Sequence, residues 1–274
     1  MIPNNFINHW RQNAPWTYQS QIEQDLVLSR ALVELYQQPI IQDSLAFRGG
    51  TALNKLFCNS SARYSEDIDL VQIKDAPVGE VMTTIRNVLD PWLGKARWKQ
   101  SERSIKFIYR FSSEEEPSIP LRLKIEINTV EAFSVFGFEK RFYEVNNPWF
   151  TGSTEIRTYK LDELMATKFR ALYQRSKGRD LYDLWLAMSE LNAVPDNIIS
   201  AFNHYNNYHK TRVSRAEYER NLILKMQDVD FLSDAKRVLI ENSSWEPQIA
   251  FESVYNNLVA KLDGEPWKGN EALE

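Results

Sequence analysis

Two aspartates one residue apart, Asp67-Ile68-Asp69, are the residues of this sequence best placed to do chemistry. The apolar residues around them read as a β-strand. Alternate side chains of a strand share a face, so Asp67 and Asp69 point one way, Ile68 and Leu70 the other. Two carboxylates ~4 Å apart repel by about 4 kcal/mol at an effective dielectric of about 20. A divalent cation held by oxygen ligands is the usual group that offsets such repulsion. Upstream, Leu45-Ala46-Phe47 forms a short apolar strand, followed by a sharp Gly49-Gly50 turn and a helix-prone run from Thr51 to Phe57. Bare backbone N–H groups at the positive end of a helix suit phosphate. A phosphate cradle beside paired carboxylates points to metal-dependent nucleotide chemistry.

Three further groupings could serve the same chemistry. Residues 121–128, LRLKIEIN, alternate strictly, which puts Arg122, Lys124, Glu126 and Asn128 on one face. Taken alone, this is a half-exposed strand with a salt-bridged outer face. Beside the Asp67–Asp69 strand, Glu126 would instead be a third metal ligand, with Lys124 tempering the charge. In the helix from Leu161 to about Arg175, Lys168 lies at the centre of the apolar arc of Leu161, Leu164, Met165 and Leu172. It either snorkels to solvent or is aimed into a cleft, where an anionic ligand or a carboxylate meets it. Arg175 continues that face. Seven basic residues (157, 160, 168, 170, 175, 177, 179) against two acidic ones (162, 163) give this stretch a phosphate-facing surface. Lastly, Asp180 and Asp183 sit one turn apart beside the stripe of Leu181, Leu184, Trp185 and Met188. Carboxylates favour a helix start for its own sake; the alternative has Asp180 pairing with Lys168 or acting as a base on an incoming hydroxyl.

The elements that must position these residues follow from periodicity and breakers. Residues 1–20 read as a short helix and a connector, and residues 21–37 as a helix ended by Pro39. A helix runs from Pro77 to about Leu89. Strands follow at 96–99, 104–112 and 119–128, the first two forming a hairpin around Ser101-Glu102-Arg103. Residues 130–157 read as irregular, with one or two short strands. Beyond Tyr159 strand patterns stop, and helices are expected at 160–175, 179–190, 195–208, 214–226, 229–240 and 247–262, before a frayed tail. The expected organisation is therefore an α/β domain over 1–157 and a helical domain over 158–274.

The chain's 274 residues are 43% hydrophobic and 26% charged, a composition able to bury a core. Cys58, the one cysteine, excludes an internal disulfide and fits a reducing cytoplasm. No secretory leader and no apolar run long enough to span a membrane is legible, so no membrane partner is expected. A net charge of −4 argues against a non-specific nucleic-acid binder but leaves room for a local basic groove. His9, His204 and His209 are scattered, without the spacing of a zinc site. No Walker loop or nucleophile elbow is present.

Taken in order, GGTAL, SEDIDL, KIEI and LDELMATKFRALYQRSKGRDLYDLW resemble the AbiEii/AbiGii toxin family of nucleotidyltransferases, within the polymerase-β-like superfamily, over residues 44–190. The resemblance implies an α/β fold: a polymerase-β-like nucleotidyltransferase core with a mixed sheet, followed by a C-terminal helical domain that completes the active site. It implies that Asp67 and Asp69 are the metal-binding aspartates. Glu126 is the carboxylate of the second motif and a third metal ligand, Lys168 the lysine of the third, and Asp180 the aspartate of R-D-x-x-D. Gly49, Gly50 and Thr51 match the triphosphate loop, with Arg48, Lys55, Lys124 and Arg175 as further nucleotide contacts. The superfamily's usual Gly-Ser is Gly49-Gly50 here, so Thr51 is expected to supply the hydroxyl. The implied activity is that of a cytoplasmic toxin of a toxin–antitoxin or phage-defence (abortive infection) system. It would use Mg²⁺ (or Mn²⁺) to transfer NMP from NTP to RNA, the tRNA 3′ end foremost, with a cognate antitoxin as partner. The same transfer to a protein or small molecule, or a non-catalytic nucleotide-binding regulator, stand as alternatives.

Overall fold

The computed structural model describes residues 2–58, 62–240 and 245–269, and the chain divides into two compact units, Met1–Tyr159 and Lys160–Glu274. The division falls at 159/160 rather than at 157/158. Part of the tail expected to fray lies outside the described residues.

The first unit is built on a seven-stranded mixed sheet. In chain order it holds α1 (Asn4–Trp10), α2 (Gln19–Tyr36), α3 (Pro39–Ser44), β1 (Leu45–Arg48), α4 (Gly49–Leu56), β2 (Asp67–Gln72), α5 (Gly79–Leu93), β3 (Arg97–Gln100), β4 (Ser104–Ser112), β5 (Pro120–Asn128), β6 (Phe138–Asn147) and β7 (Phe150–Tyr159). The strand order is β3-β4-β5-β2-β1-β7-β6, so β2 is central, antiparallel to β1 and parallel to β5. Strand alternation splits the sheet's two faces by chemistry. Phe47, Ile68, Leu70, Phe107, Tyr109, Leu123 and Ile125 are buried on one side, where α2 crosses β5, β2, β7 and β6. Burying each such side chain contributes about 1.5–3 kcal/mol. The other side carries Asp67, Asp69, Lys106, Arg110, Arg122, Lys124 and Glu126, in register with one another.

Three local features depart from the sequence expectation. Residues 130–157 are largely a hairpin of two strands of 10 residues each, not irregular chain. Polar residues stand on both faces of the hairpin, interrupting the buried Val145, Ile156 and Tyr159, so the unbroken apolar period that marks a strand is missing; their Thr, Tyr, Phe and Val content is what favours the extended form. Pro39 ends α2 but also starts α3, because proline's fixed φ suits the first helical position. And α5 continues through Pro91 to Leu93, where the burial of Leu89 and Leu93 holds its last turn.

The second unit is helical, as expected. It comprises α6 (Leu161–Gln174), α7 (Gly178–Ser189), α8 (Pro195–Tyr208), α9 (Arg215–Lys225), α10 (Val229–Lys236) and α11 (Pro247–Asn257), closed by a 3₁₀ turn at Val259–Lys261. Its core centres on Phe169, whose ring stacks on Tyr218 with centroids 4.4 Å apart. The Tyr218 hydroxyl donates to the Phe169 carbonyl, so a buried phenol is satisfied at the heart of the bundle.

Candidate active site

In the α/β unit the ladders bring the predicted acidic residues side by side. Arg48 on β1 faces Asp69 on β2, Asp69 faces Glu126 on β5, and Glu126 faces Lys106 on β4. One step along, Asp67 faces Lys124. The Lys124 ammonium lies 2.8 Å from Asp67 Oδ2 and 3.6 Å from Glu126 Oε2. Burial alone would lower its pKa, but the carboxylates of Asp67, Asp69 and Glu126 together push it up. Asp67 Oδ1 is buried and has no hydrogen-bond partner. A carboxylate oxygen in that state wants a cation, and two aspartates on one strand face form a hard-oxygen donor pair suited to a divalent ion. Asp67 and Asp69 therefore fit a metal.

Glu126 does not join them here. Its Oε1 is 3.0 Å from Lys106 Nζ, and Lys124 holds its other oxygen. Among the described residues no group of three or more His, Cys, Asp or Glu is gathered tightly enough to hold a metal ion. The three-carboxylate ligand set thus gives way to two aspartates flanked by a lysine-bound glutamate.

Gly49 packs directly on the Asp69 carboxylate. Gly49 has φ +81°, and a Cβ there would lie 2.6 Å from Asp69 Oδ2. Glycine meets both demands, a left-handed backbone and an approach no side chain permits. Gly49 and Gly50 are the first residues of α4 rather than a turn ahead of it, so their N–H groups belong to its uncapped N-terminus.

The polar residues expected around that turn are engaged elsewhere. Thr51 is buried, and its hydroxyl donates to the Asp67 carbonyl at 2.6 Å. Its one proton being spent, the Ser65 hydroxyl 2.6 Å away donates to it. Thr51 thus ties α4 to β2 rather than offering a hydroxyl to phosphate. The Arg48 guanidinium reaches Glu131 at 3.0 Å, bracing the loop after β5. Lys55 is buried, with Nζ 2.7 and 2.8 Å from the two Asp25 oxygens. Asp25 also accepts from the indoles of Trp10 and Trp16. Burial would lower the Lys55 pKa, yet Asp25 raises it, so the ammonium stays charged inside the packing of α2 against α4. The expected nucleotide contact is a core ion pair.

In the helical unit, Lys168, Arg175, Asp180 and Asp183 form one network. Lys168 Nζ lies 3.0 Å from Asp180 Oδ1 and 2.9 Å from Asp183 Oδ2. Arg175 donates to both Asp180 oxygens, at 2.7 and 2.9 Å. Lys168 does not snorkel; it is buried and met by carboxylates. Burial works to raise the Asp180 pKa, but Lys168 and Arg175 outweigh it and hold the carboxyl well below the usual range. Fully buried and bonded through both oxygens, Asp180 is not placed to take a proton from an incoming hydroxyl. Gly178 opens α7 against α10, where a Cβ would lie 2.1 Å from the Phe231 carbonyl oxygen.

Sequence reasoning missed Lys106, Ser65, Glu131 and Asp25. Lys106 was the most accessible of these: Ser104–Ser112 alternates, and pairing it with β5 across the intervening loop puts Lys106 on the face of Lys124 and Glu126. Asp25 lay inside a helix pattern with nothing to mark it.

A protein-family profile described as "Nucleotidyl transferase AbiEii toxin, Type IV TA system" matches residues 30–257. Among solved structures, MenT4, a nucleotidyltransferase toxin from Mycobacterium tuberculosis H37Rv, is similar at a TM-score of 0.66 and 14% identity, over 96% of this chain and 91% of that one. An antigenic nucleotidyltransferase-like protein from Paracoccidioides brasiliensis overlaps 79% of this chain and 95% of its own at 15% identity, with a TM-score of 0.40, too low to bear on the fold. No curated protein sequence matches.

Proposed function

The chain belongs to the AbiEii nucleotidyltransferase toxin family of type IV toxin–antitoxin systems, and from that premise we propose that it transfers NMP from an NTP to the 3′ end of RNA, tRNA foremost, with Mg²⁺ or Mn²⁺ held by Asp67 and Asp69. Family membership makes it an NTP-using enzyme with a cognate antitoxin, and enzymes of this kind generally use a divalent metal. The observation that carries the metal assignment is Asp67 Oδ1, buried without a partner on the strand face it shares with Asp69, whose own carboxylate packs against Gly49 too closely to admit a Cβ.

In the reaction a ribose hydroxyl oxygen bonds to the α-phosphorus and gives its proton to solvent, the bond from that phosphorus to the bridging oxygen breaks, and pyrophosphate leaves. A bound divalent cation supplies charge neutralisation at the α-phosphate and a lowered hydroxyl pKa. The chain's own part is positioning and electrostatics. Asp67 and Asp69 fix the ligand oxygens on a rigid central strand. The N-terminus of α4, opened by Gly49 and Gly50, offers N–H groups and positive potential to the triphosphate. Lys124 balances the carboxylates, and Glu126 with Lys106 holds it in place. In the helical unit, the Lys168–Asp180–Asp183–Arg175 network is a positioning element that joins α6 to α7. No described helix is long and apolar enough to cross a membrane, and we place the enzyme in the cytoplasm, where its NTP and RNA are.

Incubation with radiolabelled NTP, total RNA and total protein tests this reading. Label in RNA, abolished by chelator, is the expected result. Label in protein or in a small product redirects the transfer to another acceptor, and binding without any transfer makes the chain a nucleotide-binding regulator.

A further inference from the structure

On the polar face of the sheet, two pairs of like charge stand opposite each other across neighbouring strands. Lys99 on β3 faces Lys106 on β4, and Arg110 on β4 faces Arg122 on β5. All four side chains are exposed. Like charges directly opposite on a ladder destabilise it, so this arrangement costs the fold something that packing does not require. Lys106 is partly compensated by Glu126. The arginine pair is not: among the described residues no carboxylate bridges Arg110, and Arg122 reaches only Glu66, at 3.8 Å and with both side chains largely in solvent. Such a contact contributes little. Arg110 and Arg122 also line an open cavity of about 380 Å³, together with Phe111, Ser112, Pro120 and Leu121.

The position of this pair relative to the aspartates follows from the register. Asp67 faces Lys124, and Arg122 lies two residues before Lys124 on the same strand face, roughly 7 Å along β5. The arginines therefore occupy the row next to Asp67, past the point where β2 begins. An anion bound there is outside the carboxylate site but within a short reach of it. Because the reading of RNA as acceptor supplies a polyanion whose 3′ hydroxyl must come to the metal, the complementary ligand is its backbone.

We infer that the exposed Arg110–Arg122 pair and its cavity bind the phosphodiester backbone of the single-stranded acceptor end of RNA, one to two nucleotides before the 3′ hydroxyl, and so set acceptor affinity without touching the NTP. This rests on the RNA-directed function proposed above. Arginine suits the task through its bidentate fork. Single-strand sites combine such basic tracks with tolerance of sequence.

The test uses the full chain with Arg110→Gln, Arg122→Gln and the double variant. Anisotropy of a 3′-fluorescent RNA oligonucleotide, steady-state transfer and thermal melts are measured on each. The double variant is expected to weaken RNA binding about tenfold or more and to flatten the salt dependence by about 0.7 for each lost phosphate contact. KM for RNA rises, KM for NTP stays within twofold, and Tm holds or rises as the repulsion is relieved. Unchanged RNA binding and KM in a wild-type background that does label RNA overturns this inference alone. A wild-type protein that labels protein instead of RNA overturns it together with the RNA-directed function. Variants that lose antitoxin binding while keeping RNA affinity assign the patch to the antitoxin and also overturn it.

Discussion

Gly49 and Asp69 are packed so closely that a methyl group at residue 49 would sit 2.6 Å from the Asp69 carboxylate. The backbone at Gly49, with φ +81°, is one that a side chain enters only at about 1–2 kcal/mol. Gly49→Ala should therefore do two things at once. It should lower stability by about that amount, and it should push Asp69 out of line, with activity falling by about 10²-fold, the scale of a 1 Å misplacement. Melting and steady-state transfer on the purified variant check both; a Gly49→Ala enzyme with ordinary turnover would mean that Asp69 tolerates the shift and does not position the metal.

Lys168 tests the buried network. Lys168→Met leaves Asp180 and Asp183 buried with one cation fewer, and breaking such a pair costs about 3–5 kcal/mol. Urea unfolding should show this loss, with Lys168→Arg recovering only part because a planar guanidinium fits a compact ammonium site poorly. A Lys168→Met protein as stable as the wild type would return this lysine to a solvent-reaching role.

Glu23 gives a pH signature. It is fully buried; its Oε2 accepts the Glu114 N–H at 2.9 Å, and its Oε1 has no partner. Burial, with the nearby Glu115 charge adding to it, raises its pKa from 4.5 to about 7. A raised carboxyl pKa stabilises the fold below the unfolded value, and that contribution is lost as pH climbs through the folded one. Glu23→Gln keeps the acceptor for Glu114 and removes the buried charge. Its unfolding free energy should match the wild type near pH 4.5 and exceed it progressively up to pH 7 and beyond, by on the order of 3 kcal/mol at the plateau. A difference independent of pH would mean that Glu23 titrates normally.

The chemistry of the sheet was legible because a strand's period of two leaves no choice of face: once Asp67 and Asp69 share a side, so do Lys124 and Glu126. What the period could not supply was the partner each polar group finds. Lys55 goes to Asp25, Arg48 to Glu131 and Thr51 to Ser65, all contacts set by how α2, α4 and the loops pack. Glu126 read as a metal ligand because Lys106, its neighbour on β4, is invisible until the β4–β5 register is known. The β6–β7 hairpin was missed for a related reason: its two polar-rich sides carry no unbroken apolar alternation. Lys168, at the centre of an apolar arc, left two readings open, and its burial against Asp180 and Asp183 chose between them.

In the proposed reaction Asp67 and Asp69 hold the metal for nucleotide transfer to RNA. The most direct test of this role is the incorporation of radiolabelled NMP into RNA by Asp67→Asn and Asp69→Asn beside wild type, in Mg²⁺ and in chelator. Both side chains lie on the polar, partly exposed face of β2, so both variants should fold and melt near the wild-type temperature. Label is expected in RNA for wild type with Mg²⁺ only, with a loss of about 10²-fold or more in either variant, the scale of removing one preorganised electrostatic group. Transfer at near wild-type rate by a folded Asp67→Asn or Asp69→Asn protein with Mg²⁺ present would contradict the metal assignment.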